Sequence, residues 1–484
     1  MSTLTHTPPH SGTASGVLAY LVCSGAILLL MMIFGLAMRL EQAQIISIGA
    51  NHFYELMTLH GAGMVGIAAL SGAAIMWHFL RQYVRLSHAL FLANLALFLL
   101  GVVMILASVL LGKFAGGWTF LYPLPGQSMG IWGKDAAALF MGGLLLIGTG
   151  FLLLYLDVAR ALIREYGSLA HSLGWPQLFL GKGKFGPPPT VVVSTVVLIV
   201  NTISIVSGAS ILVMMLINLY FPRFAIDPLL AKNMIYFFGH VFINASIYMA
   251  VIAVYEILPH YTQRPWKSNR VFLAAWTVST LTVMFIYPHH LLMDFAMPKW
   301  MLIMGQVISY LNGLPVLVVT VYGALMIVYR SGIKWDMTSG LLMLSMFGWS
   351  AGVVPAVVDG TIVINQIMHN TLWVPGHFHI YLLLGMITMV FGFMYYLANG
   401  SRHVRAGLLE RLSFWVFAVA GMGFTLAFLY AGRASVPRRY AAHLPEWLAY
   451  DRIASGFAVL IIAAVLVFVL RFMSRLRIAK GSAA

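Results

Sequence analysis

Twelve runs of roughly twenty or more apolar residues, each about the length needed to cross a bilayer as a helix, constrain this chain more than anything else in it. They lie near 17–39, 55–80, 89–112, 136–156, 190–218, 234–259, 270–290, 299–329, 338–357, 373–398, 409–430 and 455–474. With 61% of its 484 residues hydrophobic and 8% charged, the chain has more apolar surface than a water-exposed fold can hide. The 19 prolines and 45 glycines belong in loops or in broken helices supported by neighbours. The expected fold is an all-α integral membrane protein of twelve transmembrane helices. One membrane domain covers 17–475, with cytoplasmic tails at 1–16 and 476–484. The N-terminal MSTLTHTPPHSGTASG has neither the basic region nor the cleavage pattern of a secretory signal, so the first run reads as a retained helix.

The net charge of +15 does not point to nucleic acid, because the basic residues fall in short tracts between apolar runs and form no single face. Five alternate connections and the C-terminal end hold 18 of the 28 Lys and Arg residues. The positive-inside rule makes those segments and both termini cytoplasmic, in a membrane of the bacterial inner-membrane type. The opposite, outer face then carries 113–135, 219–233, 291–298, 358–372 and 431–453. Cys23 is the only cysteine, which excludes an internal disulfide and a multi-thiolate metal site. A metal held by this chain needs histidine.

Histidine inside a spanning helix is costly and normally faces an interior site. Six stand out. His60, in LMTLHGAGM, has Gly61 and Gly63 beside it, which leaves room for a flat ring and suits an axial haem ligand. His377 and His379, in WVPGHFH, are two residues apart and point about 200° apart around a helix, so they serve two sites on opposite sides of it. His289 and His290 follow Pro288, which can loosen the helix so that adjacent imidazoles converge. With His240 of YFFGHVFIN they make a three-imidazole site for copper or iron.

These residues resemble, over nearly the whole chain, subunit I of the haem-copper oxidase and nitric oxide reductase superfamily. The resemblance rests on TLHG at 58–61, FGH at 238–240, HH at 289–290, HNTLWVPGHFH at 369–379 and VPRRY at 436–440. The HNTLWVPGHFH wording resembles the B-family oxidases more than the mitochondrial type. The resemblance implies that His60 and His379 clamp a low-spin haem and that His377 holds a high-spin haem, both expected to be b-type. His240, His289 and His290 would bind the second metal, copper or non-haem iron. Arg438 and Arg439 match the pair that holds haem propionates, a role that guanidinium forks suit. Trp118 and Tyr122 match an outer loop placed against the haems, although aromatic loops also form interfacial belts. His369 and Asn370 fall on the outer side of the haem pocket, and His369 is not read as a metal ligand.

The pattern departs from an oxidase at Asn244. A- and B-family oxidases carry a redox-active tyrosine four residues after the first metal-binding histidine, and i, i+4 spacing turns Asn244 toward the same pocket as His240. C-family oxidases place their tyrosine where this chain has Val283. Tyr287 is about 200° round the helix from His289, and Tyr248 lies about 12 Å along the axis from His240, although it can join a polar path. Pro315 stands near the position of the A-family proton-path lysine. Coupling two nitric oxide molecules needs no tyrosine, so the favoured reading is nitric oxide reduction, with dioxygen reduction by a terminal oxidase as the alternative. Asn244 either donates a hydrogen bond through its NH2 or ligates the metal through its oxygen.

Glu55 and Asp294 are candidates for an outer proton path or are ordinary helix-end charges. Glu256 is expected to contact a basic loop. Electrons are expected from a partner subunit carrying copper or c-type haem on the outer face, or from quinol.

Overall fold

A computed structural model of the chain describes residues 11–481, and the side chains of residues 15–476. Twelve helices are long and apolar enough to cross a membrane. They are α1 Ser15–Gln42, α2 Ala50–Leu80, α3 His88–Leu110, α4 Lys134–Tyr166, α5 Pro189–Tyr220 and α6 Pro228–Thr262, followed by α7 Arg270–Leu291, α8 Lys299–Val328, α9 Met337–Asp359, α10 Trp373–Ala398, α11 Leu408–Arg433 and α12 Pro445–Leu476. No β-strand occurs among the described residues; one isolated bridge joins Thr371 to Pro437. The central helix is α6, whose most apolar window is 89% buried, whereas that of α8 is 22% buried and faces outward.

All twelve expected spans are present, with shifted ends. The helix containing α1 begins at Ser11, inside the stretch expected to be a tail; residues 1–10 and 482–484 lie outside the described residues. Helix α4 runs ten residues past its expected end at 156, because Asp157 is satisfied inside the protein. It accepts Ser87 N–H at 2.7 Å and an Arg160 N–H at 2.6 Å, so the helix need not stop where the charges begin. Gly167, at φ 80°, then ends it. The continuous helix of α12 starts at Leu448, earlier than expected, because the buried Asp451 pairs with Arg39 of α1 at 3.2 Å and with His443 at 2.7 Å.

Three helices are broken, two of them at expected histidine ligands. After Val283, α7 gives way to a tight 3₁₀ turn, Tyr287–Leu291, at Pro288. A π-turn follows Pro315 in α8 at Val318–Tyr322, and another, Ile380–Met386, follows directly on His379 in α10. Gly305 lets α8 close on the α7 turn: a Cβ there would lie 2.9 Å from the backbone N of His289.

Candidate metal and haem site

His60 and His379 face each other across a gap between α2 and α10. Their ring centroids are 6.4 Å apart and their planes differ by 22°. Two metal–imidazole bonds of about 2.0–2.1 Å, plus about 1.1 Å from nitrogen to ring centre on each side, sum to about 6.3 Å. The gap therefore fits one iron held between two imidazoles. Each ring is oriented from behind: Nδ1 of His60 donates to the Met31 carbonyl at 2.7 Å, and Nδ1 of His379 to the Pro375 carbonyl at 2.6 Å. That leaves both Nε2 atoms as the ligating nitrogens. The room for His60 comes from Gly35 of α1, where a Cβ would be 2.7 Å from its Cε1. Gly61 and Gly63 serve a different purpose from the one expected. A Cβ at Gly61 would lie 2.2 Å from the Trp118 indole and one at Gly63 2.3 Å from Met31 Sδ, so these glycines admit neighbouring side chains.

On the far side of α10 the other three histidines converge. His240 lies 4.7 Å from His289 and 5.1 Å from His290, and those two are 4.2 Å apart, all between ring centroids. One ligating atom from each falls within 4.8 Å of the others, so the three can hold one metal ion. The pair lies in the 3₁₀ turn at Pro288, where α7 leaves its regular helical path, and this break sets both rings beside His240. Tyr236 stacks on His290, with centroids 5.6 Å apart. His377, like the other five histidines, lines one cavity of about 560 Å³, together with Trp118, Asn244, His369, Arg438 and Arg439.

Asn244 does point where the i, i+4 spacing placed it. Its amide nitrogen lies 3.0 Å from His240 Nδ1 and 2.9 Å from the His240 carbonyl oxygen. Only an NH2 group can face both, because the carbonyl is an acceptor and repels the amide oxygen. A metal bound at His240 Nδ1 would compete with this amide for one lone pair; bound at Nε2, it would have the amide as a support behind the ring.

Arg438 is fixed by backbone: its N–H donates to the Asn370 carbonyl at 2.9 Å. Burial and the adjacent Arg439 lower its guanidinium to about 10, while Tyr236 and Asp359 act the other way. Arg439, at φ 66°, reaches Thr119 of the Trp118 loop at 3.3 Å. Burial pushes His369 down to about 3, with Arg438, Arg439 and His289 adding to the fall. Tyr122 is not among the cavity residues and packs instead against the hydrophobic core.

The other expected polar residues are already engaged. Glu55 is buried and 3.9 Å from Lys113, and Asp294 pairs with Lys232. Glu256 meets the basic segment between α2 and α3 through Tyr83, which lies between Arg81 and Arg85 and whose hydroxyl it accepts at 3.0 Å, and it also accepts that of Thr190. Tyr287 turns away and donates to Asn233 Oδ1 at 2.9 Å, whereas Tyr248 lines the cavity. Sequence reasoning missed Asp359, whose carboxylate stands 3.7 Å from His377 Nδ1. Its only sequence signal is a charge at the end of an apolar run.

Such a bundle of twelve membrane-length helices sets a two-imidazole gap and a three-imidazole cluster around one cavity. The chain belongs to the family "Cytochrome C and Quinol oxidase polypeptide I", whose model matches residues 16–468. It is 25% identical over 268 residues, 51% of this chain, to cytochrome c oxidase subunit 1 of Thermus thermophilus. It is 24% identical over 71% of its length to cytochrome c oxidase polypeptide 1 of Halobacterium salinarum. The matches span 48% and 56% of those relatives, about half their length. A cryo-electron-microscopy structure of a heme-copper terminal oxidase dimer matches 96% of this chain and 84% of its own, with a TM-score of 0.78 at 19% identity, which establishes the shared fold.

Proposed function

We propose that this chain is the catalytic subunit of a respiratory nitric oxide reductase, which joins two nitric oxide molecules with two electrons and two protons into nitrous oxide and water. The observation that carries the reading is Asn244, one turn after His240 and against its ring, where a redox-active phenol would be needed to split dioxygen. An amide is not oxidised in this way, and the two-electron reaction does not require it to be.

In this reading His60 and His379 hold a low-spin haem and His377 a high-spin haem, both b-type, and His240, His289 and His290 hold copper or non-haem iron. When bound, the haem iron held by His377 would supply a binding site for the gas, and the metal held by His240, His289 and His290 would supply a Lewis acid. Asn244 keeps the His240 ring in one orientation. Arg438 and Arg439 neutralise haem carboxylates from the loop they share with the bridge at Pro437. Trp118 packs on Gly61 and closes the cavity next to His60. Electrons enter from a partner subunit with copper or c-type haem, or from quinol. The basic loops and both ends of the 17–475 domain face the cytoplasm of a bacterial-type inner membrane.

One observation favours a second reading, a terminal oxidase. Tyr236, four residues before His240, stacks on His290 and lines the cavity, so a phenol is available there; the relatives' names point the same way. Anaerobic turnover of the purified enzyme with nitric oxide, and separate turnover with dioxygen, decides the matter. Fast nitrous oxide formation with slow oxygen use is expected. Fast oxygen reduction that Tyr236→Phe abolishes would establish the oxidase instead.

A further inference from the structure

His377 differs from the other two candidate haem ligands in what stands behind it. His60 and His379 each give their Nδ1 proton to a backbone carbonyl, at 2.7 and 2.6 Å. His377 Nδ1 is buried and has no hydrogen-bond partner, a costly condition for a ring nitrogen inside a membrane protein. The nearest acid is Asp359, the last residue of α9, whose Oδ2 is 3.7 Å away. Asp359 is itself buried, and its backbone carbonyl and Oδ1 face the Asn365 amide at 2.7 and 3.3 Å. Its Oδ2 is the oxygen turned toward His377.

We propose that Asp359 is the positioning residue of the high-spin haem ligand: its Oδ2 accepts the Nδ1–H of His377, fixes the ring and makes it a stronger electron donor than His60 or His379. A carboxylate behind an imidazole draws the Nδ1 proton toward itself and leaves more negative charge on the ligating nitrogen than a carbonyl does. More charge on the axial nitrogen stabilises the oxidised iron. The inference rests on the reading of His377 as a haem ligand, but it holds whichever gas is reduced. Arg438 links the device to the loop, since Asp359 acts on the Arg438 guanidinium from within the same cavity. Asn365 donates to Oδ1 at 3.3 Å, which leaves Oδ2 as the oxygen on the His377 side.

The test compares the wild-type enzyme with Asp359→Asn and Asp359→Glu, each purified with its haems. The haem-to-protein ratio of the wild type comes first: two haems are expected, and loss of the high-spin haem in His377→Ala establishes the ligand independently of Asp359. Resonance Raman spectra of the reduced enzymes then read the iron–imidazole stretch, and spectroelectrochemical titration reads both haem potentials. Asp359→Asn should lower the stretching frequency and move the high-spin potential upward while the low-spin potential stays in place. Asp359→Glu, whose extra methylene spans the 3.7 Å gap, should restore the wild-type direction in both. Unchanged frequency and potential in Asp359→Asn would overturn the proposal, as would equal shifts of both haems, which mark a general packing defect.

Discussion

His377 and His379 sit two residues apart on one helix, yet the two sides of that helix are built differently. On the His379 side a second imidazole closes the gap at 6.4 Å, and backbone carbonyls hold both rings. On the His377 side no imidazole among the described residues stands opposite at that spacing; instead three histidines gather across the cavity, with an amide behind one and a carboxylate behind His377. A saturated site with neutral supports suits electron transfer, whereas an open site with adjustable polar supports suits chemistry. The supporting atom, more than the ligand type, separates the two.

The largest effect that would break this comparison comes from removing a ligand. His379→Ala should cost the low-spin haem, halving the haem-to-protein ratio and removing its sharp reduced spectrum, while metal analysis still finds the second metal. If His379→Ala also empties the three-histidine site, the two sides are not independent.

A smaller effect sharpens the chemical side. Asn244→Leu removes the donor to His240 Nδ1 at nearly constant volume. The second metal should then be lost to a chelator at concentrations about 10- to 100-fold lower, the usual cost of a lost supporting bond, with both haems retained. Unchanged metal retention would show that Asn244 does not support His240.

The smallest effect concerns pH. His369, at about 3 in the fold, is neutral where the unfolded chain, with an ordinary histidine near 6.5, takes up a proton. The unfolded state therefore gains protons first, so this contribution to stability is intact above about 6.5 and is lost as the pH falls toward 3. Thermal unfolding of His369→Gln across that window should show a shallower acid decline than wild type. A parallel decline would mean that burial and the Arg438 and Arg439 charges do not act on His369 as the structure places them.

Much of the site was legible before any coordinates. Two residues of spacing on a helix put His377 and His379 on opposite sides, four put Asn244 beside His240, and Pro288 explains how His289 and His290 meet. The basic segment after α2 does reach Glu256, but through the Tyr83 hydroxyl, and Thr190 of α5 reaches it as well; proximity in sequence names neither partner. The glycines beside His60 were read as space for a haem; the packing gives that space to Trp118 and Met31 and assigns the clearance for His60 to Gly35 on another helix.

The sequence alone determined what its local periods encode: twelve spans, the sides on which histidines emerge, and a missing phenol after His240. Only the tertiary structure decided which atom stands behind each ligand. That choice brings Met31 of α1 to His60 and Asp359 of α9 to His377, across helices whose mutual placement depends on side-chain packing and leaves no periodic trace along the chain.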